Sequence, residues 1–365
     1  MLLYNIGQML TMAGAARARR GRELADVGVE QNAFVAIQDG RVSALGPMSQ
    51  CPPVEEEDLD CEGSVIMPGF VDCHTHLVHA GGIHGSFADR CAAVEGVDSR
   101  RLARLVRHRI ELLRQNGTTT VEIKTGYAFT DAAISKCLFA VPRQRGVVLT
   151  EMSPIANSSR PQWTLENSPR FIDALCDPDG FAPEQLEGPL REIKGRGVRI
   201  KLHTGITGPS GGVKLAVANE AISVEHLLHV SAEDVRVLAQ SVTIGVLLPA
   251  MAYYTRAGRF APARALIDAG AAIAIATDSN PGDSPTHSMP FVVHLACREM
   301  GMSCEEALVA STINAAYAIG EGSTVGSIEV GKYADLLLLE ADDYRDLGAV
   351  MGASLVRRVY AGGIA

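Results

Sequence analysis

The sequence predicts an α/β protein, in which a barrel of eight parallel strands carries a small β domain made from both chain ends. Three observations support this prediction. Between residues 67 and 324, short apolar runs alternate with amphipathic segments, which is the pattern of repeated βα units. Eight such runs fit into roughly 250 residues, as in a (β/α)8 TIM barrel. The two chain ends instead contain short strand-like runs separated by glycine-containing turns.

The chain ends are predicted to form one composite domain. Four runs there have the composition of strands: residues 32–37, 41–45, 334–339 and 355–360. Asp39 and Gly40 lie between the first two runs, and this dipeptide accepts the positive φ angles of a tight hairpin. The N-terminal part is too short to form a stable sheet alone. We therefore expect residues 1–66 and 325–365 to pair into a small β-sandwich domain.

The central region supplies the barrel. Its eight predicted strands are residues 70–76, 119–124, 147–152, 171–176, 198–203, 221–226, 242–248 and 272–278. Predicted helices fill the gaps: residues 101–115 are amphipathic, Ser231 begins a capped helix, and Ser303 begins a capping box that leads into residues 307–319. A TIM barrel places its active site at the carboxyl ends of the strands, so the residues there are the candidates for function.

Composition narrows the class of partner. The chain has 365 residues, 47% of them hydrophobic, and a net charge of −9, which argues against binding to nucleic acid or to an anionic membrane. It has no apolar run of about 18 residues and no secretory signal pattern, so we expect a cytoplasmic protein that acts on a small molecule. The eight cysteines include no Cys-x-x-Cys pair, which predicts reduced thiols. The oligomeric state stays open, with a homodimer as one option.

Residues that can bind a metal stand at the ends of four predicted strands. The first strand ends with His74 and His76, whose imidazoles lie on one face with the spacing that one ion requires. His203, His226 and Asp278 end the fifth, sixth and eighth strands. Singly, each has an ordinary explanation as a hydrogen-bonded histidine or a capping aspartate. Because strand ends converge in a barrel, the five together predict a metal site.

Several segments resemble the amidohydrolase superfamily, and in particular its imidazolonepropionase branch. These segments are residues 68–76, 119–127, 224–227 and 276–282, and the similarity extends nearly from end to end. The resemblance implies one divalent ion per chain, Zn²⁺ or Fe²⁺. The implied metal ligands are His74, His76, His203 and Asp278. It also implies that His226 faces the attacked carbonyl, and that Tyr127 and Asn280 belong to the substrate pocket.

The implied ligand set has chemical consequences. A divalent ion held by three imidazoles and a carboxylate lowers the pKa of a bound water toward ~7. Asp278 can then take the proton of that water and pass it to the leaving nitrogen. His226 can donate a hydrogen bond to the developing oxyanion. The natural reaction is hydrolysis of a cyclic amide C–N bond.

The sequence also departs from the imidazolonepropionase pattern. Three residues after the strand-five histidine, where a glutamate shuttles protons in that branch, the chain has Ile206. Seven residues after the second histidine, where an arginine holds the substrate carboxylate, it has Ile83. The histidine expected near residues 154–156 is absent, and the stretch before residues 97–99 is shortened. These departures predict an altered substrate.

Two arginines are candidates to replace the missing anion clamp. Arg256 and Arg259 follow the seventh strand and can form bidentate contacts with an anion, although solvated loop arginines are the simpler interpretation. We therefore predict a metallohydrolase that opens a C–N bond of a small cyclic amide, such as an imidazolone, hydantoin or lactam-like ring. Two alternatives stay open: a ring-amidine deaminase, and a degenerate member that binds metal and ligand without turnover, which Ile206 favours.

Overall fold

The computed structural model describes residues 1–152, 168–362 and 364, and its strands form two sheets. The strands are β1 (Leu2–Leu10), β2 (Val29–Gln38), β3 (Arg41–Pro47), β4 (Leu59–Asp60), β5 (Val65–Pro68), β6 (Phe70–Asp72), β7 (Thr118–Lys124), β8 (Val147–Met152), β9 (Phe171–Cys176), β10 (Arg199–Thr204), β11 (Ser223–His226), β12 (Ile244–Leu247), β13 (Ile273–Ile275), β14 (Leu336–Leu339) and β15 (Val356–Tyr360).

The helices lie mainly between the strands of the central region. They are α1 (Phe87–Gly96), α2 (Ser99–Gln115), α3 (Asp131–Ala140), α4 (Pro183–Gly195), α5 (Gly212–Ala218), α6 (Ala232–Ala239), α7 (Pro249–Tyr254), α8 (Ala263–Asp268), α9 (Met289–Glu299), α10 (Cys304–Ala310), α11 (Ile313–Ala318) and α12 (Asp346–Ala349). Short 3₁₀ turns occur at Gly21–Ala25 and Met48–Gln50. Within the described residues, no helix combines the length and the apolar character that crossing a membrane requires.

Strands β6 to β13 form one parallel sheet in chain order, each paired with the next. This arrangement confirms the predicted (β/α)8 barrel, and each predicted barrel strand has an observed counterpart. Several observed strands are shorter than predicted. Regular pairing in β6 and β13 stops before the ligand-type residues, which lie just beyond the ends of these two strands.

The first and last barrel strands are joined beyond their regular segments. Thr75 and Ser279 form a parallel bridge. The backbone N–H of His76 donates to the Ser279 carbonyl at 2.9 Å, and that of Asp278 donates to the His74 carbonyl at 3.0 Å. The seam that closes the barrel therefore passes through three of the predicted metal ligands.

The two chain ends form a single seven-stranded sheet in the order β15-β14-β5-β1-β2-β3, with β4 paired to β1. Asp39 and Gly40 have φ angles of 51° and 73°, as the predicted hairpin turn requires. The predicted small β domain made from both chain ends is thus present, and its seven strands belong to one hydrogen-bonded sheet. Strand β5 belongs to this sheet and extends to Pro68. The domain limits at residues 66 and 325 stay a prediction.

One predicted helix is divided in two. The segment 307–319 is split between α10 and α11, and Thr312 between them has a non-helical φ of −126° and ψ of −95°. The Thr312 hydroxyl donates to the Leu308 carbonyl at 2.6 Å, and the Ser311 hydroxyl donates to the same oxygen at 3.2 Å. Because these hydroxyls compete with backbone N–H groups for the carbonyl, the helix is interrupted there. The predicted caps at Ser231 and Ser303 are present.

Candidate metal centre

The imidazoles of His74 and His76 and the carboxylate of Asp278 meet at the carboxyl ends of the barrel strands. His74 Nε2 lies 3.2 Å from His76 Nε2 and 3.4 Å from Asp278 Oδ1, and the distance from His76 Nε2 to Asp278 Oδ1 is 3.7 Å. Ligand atoms at ~2.0–2.1 Å from a tetrahedral ion are about 3.3–3.4 Å apart. The three atoms therefore have the mutual spacing of ligands around one ion.

Two more histidines complete the cluster. The ring centroid of His203 lies 4.6 Å from that of His74 and 5.6 Å from that of His76, and the His226 ring lies 5.0 Å from the His203 ring. Among the described residues, the buried His203 Nε2 and His226 Nδ1 have no hydrogen-bond partner. His74, His203 and His226 can also bring ligand nitrogens within 4.8 Å of one another, so His203 is a candidate for a further ligand and His226 lies beside the same centre. The structure thus brings together all five predicted strand-end residues.

Two buried carboxylates lie behind the imidazoles, and the sequence analysis assigned neither. Glu225 Oε2 is 2.7 Å from His74 Nδ1, and Asp173 Oδ1 is 3.0 Å from His203 Nδ1. A carboxylate in this position keeps the imidazole proton on Nδ1 and leaves the Nε2 lone pair for an ion. The sequence does contain a signal for these two carboxylates. Each is a charged residue within an apolar barrel strand, and a buried charge needs a partner.

Two lysines neutralise part of this buried negative charge. Lys124 Nζ lies 2.5 Å from Asp173 Oδ2 and 2.8 Å from Glu225 Oε2, and Lys201 Nζ lies 2.5 Å from Glu122 Oε2. All five side chains are fully buried. Against the effect of burial, the two ammonium groups hold the pKa of Glu225 well below its usual value. Three carboxylates and two ammonium groups leave one net negative charge behind the histidines, which favours a cation at their Nε2 atoms.

The protonation preferences of the cluster also suit a metal. Burial lowers the pKa of His76 to about 3 and that of His74 well below its usual value, so both imidazoles are neutral near pH 7. Neutral imidazole is the form that binds a metal. Burial, and next the negative charge of Asp283, raise the pKa of Asp278 well above its usual value. An adjacent cation would offset this effect and favour the carboxylate.

Backbone strain is concentrated at the cluster. Asp278 has a φ of 51°, and the consecutive residues His226 and Leu227 have φ angles of 76° and 62°. Left-handed backbone at residues other than glycine has a free-energy cost of order 1–3 kcal/mol per residue and persists where the surroundings fix it. Hydrogen bonds fix it here, since the Asp278 N–H donates to the His74 carbonyl and the Leu227 N–H to the Thr204 carbonyl.

A cavity of about 750 Å³ adjoins the cluster, and His76, His203, His226 and Asp278 line it. Its size suits a small-molecule ligand. Much of the remaining wall is apolar, formed by Phe87, Phe129, Met152, Leu175, Phe181, Ile206, Leu228 and Met251. The cavity therefore offers a metal-type cluster on one side and an apolar surface for a ring on the other.

Both predicted pocket residues line the cavity. Tyr127 is buried, and burial raises the pKa of its hydroxyl above the usual value. Asn280 serves the backbone: its Nδ2 donates to the Asp278 carbonyl at 2.7 Å, and its Oδ1 accepts from the N–H groups of Gly282 at 2.8 Å and Asp283 at 2.7 Å. Because both ends of the amide are engaged, Asn280 shapes the turn that follows Asp278.

The structure does not place the two candidate clamp arginines in the cavity. Arg256 and Arg259 are exposed and are not among the described residues that line it, so their role stays a prediction. Arg259 Nη1 instead lies 3.3 Å from His229 Nδ1. Ile83 is also exposed and outside the lining. Among the described residues that line the cavity, the arginine is Arg90, which the sequence analysis did not single out.

Ile206 occupies the wall at the position where the resemblance leads one to expect a glutamate. Its backbone N–H donates to Asp177 Oδ2 at 2.7 Å, and the N–H of Thr207 donates to Asp177 Oδ1 at 3.2 Å. Asp177 thereby fixes the loop so that the Ile206 side chain lines the cavity. The position near residues 154–156, where a histidine was expected, lies outside the described residues.

The chain is similar to known proteins over nearly its whole length. The model of the amidohydrolase family matches residues 65–364. The imidazolonepropionase of Herpetosiphon aurantiacus is 35% identical and aligns with 97% of this chain and 94% of its own length. That alignment spans 404 positions, more than the 365 residues of this chain, so the relative contains segments that this chain lacks.

Solved structures show the same fold. A 5-methylcytosine deaminase from Klebsiella pneumoniae has a TM-score of 0.78 at 14% identity and covers 100% of this chain and 96% of its own. An adenosine deaminase from Xanthomonas campestris, solved with bound zinc, has a TM-score of 0.72 at 18% identity and covers 99% of this chain and 91% of its own. The family model covers most of the chain, and relatives align with it almost from end to end. The chain therefore belongs to the amidohydrolase family, as an imidazolonepropionase-like member.

Proposed function

We propose that this protein is a metal-dependent hydrolase that opens a C–N bond of a small cyclic amide, such as an imidazolone, hydantoin or lactam-like ring. One observation carries the proposal: His74 Nε2, His76 Nε2 and Asp278 Oδ1 lie 3.2–3.7 Å from one another beside a cavity of ring-binding size. The imidazolonepropionase relative supports the ring-amide class.

The residues fit one divalent ion per chain, Zn²⁺ or Fe²⁺. Imidazole nitrogen combined with carboxylate oxygen favours these ions over Mg²⁺. The residues that would hold the ion are His74, His76, His203 and Asp278. The zinc in the structurally similar adenosine deaminase is consistent with this assignment. When bound, the ion supplies Lewis acidity toward water and toward the attacked carbonyl.

Asp278 is the residue that moves the proton. Among the described residues that line the cavity, the carboxylates are Asp278 and Asp283, and Asp283 is exposed. Asp278 accepts a proton from the attacking water and returns it to the leaving nitrogen, a role that contributes ~10²–10⁴ in rate. His226 lines the same cavity and donates to the carbonyl oxygen as negative charge develops there.

The substrate differs from imidazolone propionate. Ile206 forms part of the wall where a proton-shuttling glutamate is expected, and Ile83 replaces the expected arginine without lining the cavity. An alkyl wall favours an apolar substituent on the ring and leaves any polar substituent there without a hydrogen bond. We therefore expect the enzyme to prefer a ring whose substituent at this wall is apolar.

Metal analysis and a substrate panel test the proposal together. Protein purified without added metal should contain, or take up, about one zinc or iron ion per chain. The metal-loaded protein should open at least one ring in a panel of imidazolones, hydantoins and lactams, measured by absorbance, with ammonia assayed in parallel. His74→Ala should lower metal occupancy.

Each alternative predicts a different result. Absence of metal uptake would refute the metal centre. Ammonia release with the ring intact would identify a ring-amidine deaminase. Metal and ligand binding without turnover of any panel member would identify the degenerate, binding-only protein that Ile206 favours.

A further inference from the structure

Cys297 and Cys304 form a thiol pair between two helices of the barrel. Cys297 lies near the end of α9, and Cys304 is the first residue of α10. A hydrogen bond joins the two thiol groups. Neither cysteine is among the described residues that line the cavity beside the metal-type cluster. The pair is therefore a second group of potentially reactive side chains, separate from the candidate metal centre.

Helix α12, in the connection between β14 and β15, covers this thiol pair. A Cβ atom added to Gly348 of α12 would lie 3.1 Å from Cys297 Sγ and 3.3 Å from Cys304 Sγ. Both sulfur atoms therefore border the same small space, which the missing side chain of Gly348 leaves open. The Cys304 Sγ also lies 3.8 Å from the Tyr344 carbonyl oxygen. The Gly348 carbonyl oxygen lies 3.1 Å from His294 Nδ1. These contacts hold α12 over the pair and keep the sulfur atoms together.

The path of the chain favours a bond between the two sulfur atoms. A disulfide requires them to approach to ~2.0 Å. The connection between α9 and α10 consists of residues 300–303, so the two cysteines are close along the chain as well as in space. The open space beside Gly348 allows both side chains to rotate for this approach.

The two thiols are also accessible and unequal in reactivity. Both are reduced and half-buried. Their hydrogen bond lowers the pKa of Cys297 and raises that of Cys304 well above its usual value. Burial raises the pKa of the other six cysteines, all of which are described. Because the thiolate is the nucleophile, Cys297 is the thiol best suited to react first.

We propose that Cys297 and Cys304 form a reversible disulfide when hydrogen peroxide oxidises the protein. The Cys297 thiolate attacks one peroxide oxygen, the O–O bond breaks, and the departing hydroxide is protonated to water, which leaves a sulfenic acid. The Cys304 sulfur then attacks the Cys297 sulfur. An S–S bond forms, the S–O bond breaks, and the Cys304 proton joins the departing hydroxide as a second water. Two thiols are thereby oxidised and one peroxide is reduced. A dithiol reductant restores the pair by exchange.

This modification site is independent of the proposed hydrolase function, and peptide mapping tests it. Trypsin cleaves after Arg298, so the two cysteines fall in the separate peptides 265–298 and 299–332, each with a single cysteine. The full-length protein would be treated with peroxide, alkylated and digested without reductant. We expect a species that contains both peptides, about 2 Da lighter than their summed mass, and that dithiothreitol separates. Metal content should be the same before and after treatment, because neither cysteine is a proposed metal ligand.

Serine variants separate the roles of the two thiols. Cys304→Ser keeps a hydroxyl that can donate to Cys297, so peroxide should still convert Cys297 to a sulfenic acid, which dimedone traps. In Cys297→Ser, Cys304 should react at least ~5-fold more slowly than Cys297 does in the first variant. Cys51→Ser is the matched control, because Cys51 is also half-buried but follows β3, outside the barrel helices. It should form the linked peptides at the wild-type rate.

Peroxide would be raised until Cys51 is oxidised, so that an absent link is informative. Absence of the linked peptides at that point would overturn the proposal, and so would faster oxidation of Cys51 than of Cys297. Far-UV circular dichroism of the treated protein checks the fold. A link that forms only after the dichroism shows unfolding would also overturn the proposal, because it would not come from the folded arrangement of the two helices.

Discussion

Replacing Glu225 with glutamine should weaken metal binding through His74. Glu225 Oε2 lies 2.7 Å from His74 Nδ1 and 2.8 Å from Lys124 Nζ, and its Oε1 accepts from the Ser223 hydroxyl at 2.8 Å. Glutamine has the same shape but no charge. If its amide nitrogen faces His74, the amide N–H donates to Nδ1. The imidazole then adopts the tautomer that carries its proton on Nε2. A protonated Nε2 cannot bind a metal.

The expected magnitude follows from two effects. Loss of a carboxylate behind a metal ligand lowers metal affinity by roughly 10–100-fold, which is about 1.4–2.7 kcal/mol. The variant also removes the net negative charge of the buried group, and this loss further lowers the affinity for a metal cation. Because Lys124 and Lys201 each lose a buried partner, the free energy of unfolding should fall by about 3–5 kcal/mol.

A matched variant separates the two effects. Glu122→Gln removes a carboxylate from the same buried group, where Glu122 Oε2 lies 2.5 Å from Lys201 Nζ and 3.4 Å from Lys124 Nζ. In the described part of the chain no contact joins Glu122 to an imidazole. Metal affinity would be measured by competition with a chelator, and stability by urea unfolding of the metal-free protein. Both variants should lose stability, and Glu225→Gln should lose clearly more metal affinity. Equal losses of affinity would refute the argument that Glu225 acts through His74.

Three other substitutions test the proton path, the altered wall and the barrel seam. Asp278→Asn should lose at least ~10²–10⁴ in turnover while elemental analysis still detects metal, and unchanged turnover would contradict its role as the proton carrier. Ile206→Glu places a carboxylate in an apolar wall and should lower or leave unchanged the rate on the native substrate. If it instead activates an otherwise inert protein, the binding-only interpretation is correct. Asp72→Ala removes the acceptor of the Thr277 N–H at 3.1 Å and of its hydroxyl at 2.6 Å. The free energy of unfolding in urea should fall by about 2–4 kcal/mol, and a change below ~1 kcal/mol would contradict this account.

The barrel could be predicted because its strands are buried on both faces. Buried parallel strands appear as continuous apolar runs between amphipathic helices, and each of the eight runs in the central region became a strand. The break between α10 and α11 could not be predicted from periodicity, since apolar spacing continues through it. Local bonds from the Ser311 and Thr312 hydroxyls to the Leu308 carbonyl decide it.

The clustering of the candidate metal ligands could be predicted because all of them stand at strand ends, where the fold brings distant residues together. The buried carboxylates that contact these ligands could not be predicted from the sequence. Glu225 acts on His74, and the inter-strand register places it opposite His203, a relation that a single sequence does not reveal. Arg90 was missed for a similar reason, because the path of the chain between β6 and α1 determines which face of α1 lines the cavity.

Two departures from the imidazolonepropionase pattern, Ile83 and Ile206, fall outside the strands. The proposed ligands His74, His76 and Asp278 border the hydrogen-bonded seam that closes the barrel, so moving them would disturb its closure. Ile206 lies in the loop after β10, and Ile83 lies in the turn that precedes α1. Loops and covering helices can change without breaking the sheet. A scaffold of this kind holds the candidate ligands in place while loop residues such as Ile206, which contact the rest of the substrate, are exchanged, and this is the arrangement that an altered substrate requires.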